Sequence, residues 1–313
     1  MHAETAELSA ILIVSGEFSS IRTTLDRLRQ QSVAERVELV IVGAASALNE
    51  VTASQFPEFF GCRLVQVDEV ESLGQAYAVG VRKSTAPVIA CCEDHAFPAP
   101  TWAEELINAH RDGWAVVGPA MRNGNPDSTV SWAAFLMGFG PWATPAKAGV
   151  VTHLPWHNNS YKRDVLLHYD DTLGKMLDAE SVLHWKLLER GLELYLEPKA
   201  QTDHLNVAQL GPWLKYQFFA GQKFAASRSA KWSWFRRCFY GAASFLIPPL
   251  RFWRLQKEIR RPGRCPSPML PVVGVILLGL AADGAGQMLG YCSGFGASVA
   301  KTAEYDLHRM QYV

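Results

Sequence analysis

The sequence has little of what marks several protein classes. Its six cysteines form no Cys-X-X-Cys pair and no zinc-ligand spacing. That argues against a zinc module or a dithiol redox centre, and the cysteines read as reduced, mostly buried thiols of a cytosolic protein. The opening Met1-His-Ala-Glu-Thr-Ala-Glu has no basic stretch leading into an apolar core, so no secretory signal is expected. No internal repeat is visible. After the first apolar run the chain reads Gly16-Glu-Phe-Ser, a poor version of a glycine-rich phosphate loop, which weighs against a nucleotidyltransferase built on such a loop. Net charge is missing too, since 30 Lys/Arg balance 30 Asp/Glu.

That balance hides a division. Residues 1–222 carry 17 Lys/Arg against 26 Asp/Glu, residues 223–264 carry 11 against the single acid Glu258, and the rest carry 2 against 3. A basic block this sharp points to an anionic partner surface. Within it Trp232, Trp234, Phe235, Phe239, Tyr240, Phe252 and Trp253 interleave with Arg236, Arg237, Arg251, Arg254, Lys257, Arg260 and Arg261, and Pro248-Pro249 splits the region in two. Nucleic acid is one partner that stacking rings and arginines would suit. The next segment favours a membrane instead. Met269–Ala282 is apolar and uncharged, and after Asp283 the chain stays uncharged through Ala300. Rings at headgroup depth with cations on anionic lipid fit that neighbour, and no nucleic-acid partner is expected. The stretch before Asp283 is short of the roughly 20 residues a spanning helix needs. A single helix through Asp283, a re-entrant pair and a buried glycine-rich helical pair all remain open.

With 313 residues, 49% of them hydrophobic, the chain can bury a large core as one domain or a domain plus an appendage. Its first half alternates apolar strands with helices. Strands are expected at Leu8–Ser15, Glu38–Gly43, Cys62–Val67, Pro87–Cys92 and Ala115–Gly118, and helices at Ser19–Gln31, Ala47–Phe56, Leu73–Ser84 and Trp102–Arg111. Strands that are nearly all apolar imply a mainly parallel sheet covered on both faces, an α/β fold. Arg122–Gly149, rich in Gly, Pro, Asn and Trp, reads as a long mobile loop. Asn158–Leu167 leads into a helix, Asp178–Arg190 is a helix stopped by Gly191, Leu192–Leu196 is a strand ending at Pro198, and Ala208–Ser227 is helical. Trp132, Trp142 and Trp156 are either core or sugar-stacking rings.

The most informative stretch is Val88-Ile-Ala-Cys-Cys-Glu-Asp-His-Ala-Phe-Pro98. A buried strand stops and presents Glu93, Asp94 and His95 at its carboxyl end, where open α/β sheets place ligands. Hard oxygen ligands there suit Mg²⁺ or Mn²⁺, ions that can neutralise a diphosphate. Three further segments follow in order: His157-Asn-Asn-Ser-Tyr-Lys-Arg163, the helix from Asp178 with Glu180 near its start, and Glu197-Pro-Lys-Ala-Gln-Thr-Asp-His204 after a strand.

In this order and spacing the motifs resemble the GT-A glycosyltransferases of family 2, from about Leu8 to Arg228. The resemblance implies inverting transfer of a sugar from a nucleotide-diphosphate donor with a divalent metal, Mn²⁺ or Mg²⁺. It places Glu93-Asp94-His95 at the family's Asp-X-Asp position, with Asp94 contacting nucleotide sugar and metal. It makes Glu180 the catalytic base, and Asp94, His95 and His204 the metal ligands. Glu93, Asp94, Ser15 and Gly74 fall on the donor side, and His157, Asn158 and Asn159 face the acceptor. Plain structural roles are also open to these residues. Glu180 favours the helix macrodipole, Asn158 and Asn159 can cap a helix, and His204 can be a satisfied core histidine. The sequence departs from the family at Val42-Gly-Ala-Ala-Ser46, which has no acid where the nucleotide is usually held, so that either base or ribose recognition differs or Asp68 or Glu69 after the third strand contributes. Ala179 stands where the family commonly has an acid. The organisation expected is a GT-A domain over 1–228 and a basic-aromatic, then apolar, helical membrane-associated region over 229–313. The enzyme would sit on the cytoplasmic face of a membrane, peripherally or with a short C-terminal membrane segment. It would act there on a lipid-linked or membrane-proximal acceptor. A GT-A-like binding or scaffold protein without turnover is the alternative.

Overall fold

A computed structural model of the protein describes residues 5–155, 157–261 and 269–313. Trp156, Arg264 and Cys265 lie outside the described residues. The strands are β1 Leu8–Val14, β2 Val37–Ala44, β3 Gly61–Val67, β4 Val88–Cys92, β5 Ala96–Pro98, β6 Val116–Asn123, β7 Gly149–Val151, β8 Ser160–Lys162 and β9 Leu194–His204. The helices are α1 Arg22–Arg29, α2 Ala45–Leu48, α3 Leu73–Lys83, α4 Trp102–Arg111, α5 Thr129–Phe139, α6 Arg163–Leu167, α7 Leu173–Leu177, α8 Glu180–Glu189, α9 Leu210–Ser229, α10 Trp234–Ala242, α11 Ile247–Ile259, α12 Leu270–Ser293 and α13 Ser298–Leu307. Two compact units result. The first takes the described residues up to Gly124 with Trp142–His204, and the second takes Asn125–Pro141 with Leu205–Val313.

The first unit is a nine-stranded mixed sheet in the order β3-β2-β1-β4-β8-β6-β9-β5, with β7 paired to β9. β3, β2, β1 and β4 run parallel, β8 is antiparallel to both neighbours, and β6 and β9 run parallel. Every residue of β1 and of β4 is buried, because helices cover both faces of the parallel half. The expected α/β architecture, a mainly parallel GT-A-like sheet flanked by helices, is the one observed.

Three local expectations change. The Arg122–Gly149 loop contains α5. Ser128 caps it by accepting from the Ser131 N–H, and the apolar run Trp132-Ala-Ala-Phe-Leu-Met137 then has helix-favouring residues throughout. The Gly and Pro residues that suggested a loop lie at its ends. β9 does not end at Pro198. Its register against β6 jumps from Glu197 opposite Pro119 to Gln201 opposite Ala120, so Pro198 sits in a bulge where its missing N–H costs no ladder bond. Asn158–Leu167 forms β8 before the helix α6. Cysteine burial is mixed, with Cys91 and Cys92 buried, Cys62 and Cys238 intermediate and Cys292 exposed.

The second unit is helical. α12 runs unbroken through Asp283, so the single-helix alternative is the one observed. It is long and apolar enough to cross a membrane, yet 44% of its most apolar window is buried inside the protein. It packs on α9 through glycines. A Cβ on Gly286 would lie 1.9 Å from the Phe218 carbonyl oxygen, and one on Gly290 2.3 Å from that of Gln222, so only glycine allows the two backbones this approach. Asp283 is buried and accepts from Arg251 at 2.6 Å and Gln287 at 2.9 Å.

Between α4 and β8, His110 is buried. Its Nδ1–H donates to the Trp114 carbonyl at 3.1 Å, and Nε2 lies 2.9 Å from the Ser160 hydroxyl. Burial pushes its pKa down to about 4. The unfolded chain takes up this proton near pH 6.5 and the folded one does not, so the contribution to stability is complete above that pH and declines as pH falls toward 4. Urea unfolding at pH 6.5 and pH 5 is expected to show a loss on the order of 2 kcal/mol from this site, and His110→Gln should flatten that slope.

Candidate active site

The β4 strand ends at Cys92, and the chain turns through Glu93, Asp94 and His95 into β5. That turn is pinned from outside. Tyr77 donates to the Cys92 carbonyl at 2.8 Å, and Thr24 to the Glu93 carbonyl at 3.0 Å. β5 then pairs antiparallel with β9, setting Ala96 opposite His204. This register brings the Glu-Asp-His turn onto a histidine more than a hundred residues away.

Glu93, His95 and His204 form a buried trio whose ligand atoms all lie within 4.8 Å of one another. Glu93 Oε2 is 3.4 Å from His204 Nε2 and 3.6 Å from His95 Nε2, and it accepts from Asn158 Nδ2 at 2.6 Å. Burial alone would raise the Glu93 carboxyl. The imidazoles of His95, His204 and His157 outweigh that and hold it well below the usual carboxylate range. Asp94 lies outside the trio and approaches the other nitrogen of His95, Nδ1, at 2.7 Å. A carboxylate on one imidazole nitrogen orients the ring and turns the second nitrogen toward the cluster. His95 Nε2 is that second atom, buried and without a hydrogen bond among the described residues. The residues therefore fit a divalent ion. Two imidazoles and one carboxylate are a borderline donor set, better matched to Mn²⁺ or a later transition metal than to Mg²⁺, which prefers oxygen throughout.

Glu180 opens α8 and is 3% exposed. Its Oε1 accepts from the Tyr161 hydroxyl at 2.6 Å, and its Oε2 accepts from the His157 backbone N–H. The His157 Nδ1 is 3.6 Å from the same oxygen. His157 has φ of 58°, a left-handed conformation uncommon for a side-chain-bearing residue and often found at functional sites. The three residues expected to face an acceptor thus separate. His157 engages Glu180, Asn158 engages Glu93, and Asn159 is fully buried with its side-chain amide on the Pro155 carbonyl.

On the donor side, Ser15 follows β1 and is half-buried. The N–H of Gly74 is taken by the protein itself, donating to Asp178 Oδ1 at 2.9 Å, while Ser72 donates to Oδ2 at 2.8 Å. Asp178 thereby ties the start of α3 to the segment that leads into Glu180. The turn after β2 carries no acid, and Asp68 and Glu69 after β3 are exposed. A 510 Å³ cavity lies elsewhere, lined by Glu7, Thr85, His110, Arg111 and Lys162 among others, and contains none of these residues. The sequence reading missed Tyr161, His184 and Asp178. Only His184 had a signal, four residues after Glu180 and so on the same helix face.

Sheet and site together define a GT-A-like fold with a buried Glu-His-His cluster beside a second buried carboxylate. The model of glycosyl transferase family 2 matches residues 9–169, just over half of the chain, and the chain belongs to that family. The matched region contains Glu93–His95 and His157–Asn159; Glu180 and His204 lie beyond it. No curated protein sequence matches the chain. Among solved structures, it is similar to TarS of S. aureus, at 12% identity and TM-score 0.46 over 67% of this chain and 38% of that one. It is similar to GalNAc-T7 with UDP, GalNAc and Mn²⁺, at 14% and 0.47 over 64% and 43%. A third is the mannosyltransferase PcManGT of Pyrobaculum calidifontis with GDP-Man and Mn²⁺, at 18% and 0.49 over 98% and 81%. The chain spans less than half the length of the first two.

A Cβ on Gly74 would lie 2.4 Å from the Asp178 backbone nitrogen and 2.5 Å from the Gly174 carbonyl oxygen. Backbone cannot yield as a side chain can, so Gly74→Ala is expected to cost about 1–3 kcal/mol, read as a lower urea midpoint.

Proposed function

We propose that this chain is a metal-dependent, inverting glycosyltransferase that moves a sugar from a nucleotide-diphosphate donor to a hydroxyl acceptor at a membrane. The observation that carries this reading is that consecutive residues of one loop serve both acid centres. His157 gives its backbone N–H to Glu180, and Asn158 gives its side-chain amide to Glu93. One short segment thus contacts both the proposed base and the acidic, imidazole-rich cluster.

In this reading Glu180 takes the proton of the acceptor hydroxyl. The freed oxygen attacks the anomeric carbon from the face opposite the diphosphate, the bond from that carbon to the phosphate oxygen breaks, and the diphosphate leaves with the electron pair. Glu93, His95 and His204 would hold the divalent ion, which when bound offsets charge on the departing diphosphate. Asp94 orients His95.

For the membrane, Trp234, Phe235, Phe239, Phe245 and Trp253 are each between 63% and 79% exposed, on α10, α11 and the turn joining them. Arg236 lies 4.0 Å from the Trp232 ring centroid, holding a cation among the rings. Exposed rings with interleaved arginines suit an anionic lipid surface on the cytoplasmic side, each cation adding about 1 kcal/mol. α12 then serves as the packed support of this surface, and the acceptor is lipid-linked or membrane-proximal.

The acid-free Val42–Ser46 turn favours a second reading, a GT-A-like binding protein without turnover. Thermal shifts with UDP, GDP, dTDP and CDP, with and without Mn²⁺, separate the two. Catalysis predicts metal-dependent stabilisation by at least one nucleotide, lost in His204→Ala. Glu180→Gln should keep that shift and reduce transfer about 10²–10⁴-fold. Near-normal turnover in Glu180→Gln would remove the base assignment. Sedimentation with vesicles should show binding to phosphatidylglycerol but not to phosphatidylcholine alone, weakened by salt and by joint replacement of Trp234 and Phe235 with serine. Equal binding to both lipids would count against the electrostatic part of the docking.

A further inference from the structure

We infer that Tyr161 and His184 form a buried relay that positions the Glu180 carboxylate and sets its affinity for a proton. The inference rests on Glu180 being the base proposed above. Tyr161 is fully buried on β8 and His184 is buried on α8, one turn beyond Glu180. The Tyr161 hydroxyl lies 2.6 Å from Glu180 Oε1 and 3.1 Å from His184 Nε2.

A phenol has one proton to give, and its two neighbours compete for it. The carboxylate cannot donate, so the proton goes to Glu180. His184 Nε2 then faces a lone pair of the phenol oxygen and must itself carry a proton. Burial pushes His184 below its usual range, against the pull of Glu180, so the ring is neutral and Nδ1 is bare. That matches the structure: Nδ1 is the ring nitrogen buried without a hydrogen bond among the described residues. Burial and the neighbouring Glu180 raise the Tyr161 phenol well above its ordinary value, so it remains a donor. The chain of donation runs His184 Nε2–H to Tyr161 O–H to Glu180 Oε1, while Oε2 takes the His157 N–H.

Each donor favours the carboxylate over the carboxylic acid. One donor on each oxygen, Tyr161 on Oε1 and His157 on Oε2, fixes the orientation of the carboxylate. Tyr161 and His184 would thus be positioning residues. Among the described residues, the groups that face this carboxylate or its relay are His157 from the loop before β8, Tyr161 from β8, His184 from α8, Cys91 from β4, and His153 toward His184, with the Asn159 side chain also on the Tyr161 phenol.

The test needs no substrate. In protein labelled with ¹³C at glutamate carboxyls, the Glu180 signal is assigned by its loss in Glu180→Gln and titrated in the wild type and in Tyr161→Phe. Loss of the donor should move this titration to higher pH, because the carboxylate loses a hydrogen bond that the carboxylic acid does not need. His184→Leu should move it less, and His184→Gln, which can still donate, should restore most of the wild-type titration. ¹⁵N-histidine spectra of the wild type should show His184 with Nε2 protonated and Nδ1 bare. The opposite tautomer, or an unchanged Glu180 titration in both Tyr161→Phe and His184→Leu, would overturn the relay. If Tyr161→Phe does not fold, the wild-type tautomer and the His184 pair decide. Retained turnover in Glu180→Gln alongside a shifted titration would sink the base assignment and leave the relay standing.

Discussion

The carboxylate of Glu93 is the group on which the site depends. A buried charge costs several kcal/mol unless it is paired and hydrogen-bonded. Glu93 meets that demand only by drawing in partners from distant segments: His95 from its own turn, Asn158 from the loop before β8, and His204 from the end of β9. Its backbone carbonyl adds Thr24 from α1. The antiparallel register of β5 on β9 places His204 opposite Ala96, and a slip of one residue would turn that side chain to the other face. Satisfying one carboxylate therefore constrains strand register, loop conformation and helix position together, and the same constraint assembles a cluster of metal-ligand type.

Much of this was legible in the sequence, for a physical reason. Strands buried on both faces are continuous apolar runs, and β1, β2 and β4 are read within a residue or two of their limits. The Glu-Asp-His turn stands out because charge interrupts such a run. What stayed hidden depends on non-local pairing. The continuation of β9 past Pro198 is invisible because a proline ordinarily ends ladder pairing, and only the bulge opposite Pro119 and Ala120 accommodates it. α5 was masked by Gly and Pro residues that lie at its ends. The division of labour among Glu93, Asp94 and His95 could not be read either, since three adjacent polar residues give no indication of which side chains turn inward. Tyr161 looks like any strand aromatic until Glu180 and His184 are brought against its hydroxyl.

The two acid centres are held by different chemistry. Around Glu93 the compensation is imidazole-rich and the carboxyl is held well below its usual range. Around Glu180 it consists of one phenol, one backbone N–H and a more distant imidazole. As the proposed base, Glu180 must not be too well compensated, because every donor to the carboxylate lowers its basicity. Glu93, as a proposed metal ligand, needs instead to be ionised, which its low pKa ensures. The loop that carries His157 and Asn158 can serve both because it gives a backbone donor to one and a side-chain amide to the other.

Asp283 applies the same reasoning to the second unit. By hydropathy alone α12 could cross a bilayer. The charge near its middle is not left to lipid: Arg251 and Gln287 satisfy it, and the glycines nearby let α9 close over that side. This face of the helix is built to pack on protein. Its other side exposes Leu270, Leu277, Leu278 and Met288, and exposed aromatics on α10 and α11 add to the apolar surface of the same unit. Hydropathy therefore describes only half of this helix: one face carries a buried ion pair and glycine contacts that need protein around them, and the other is left apolar at the surface of the unit.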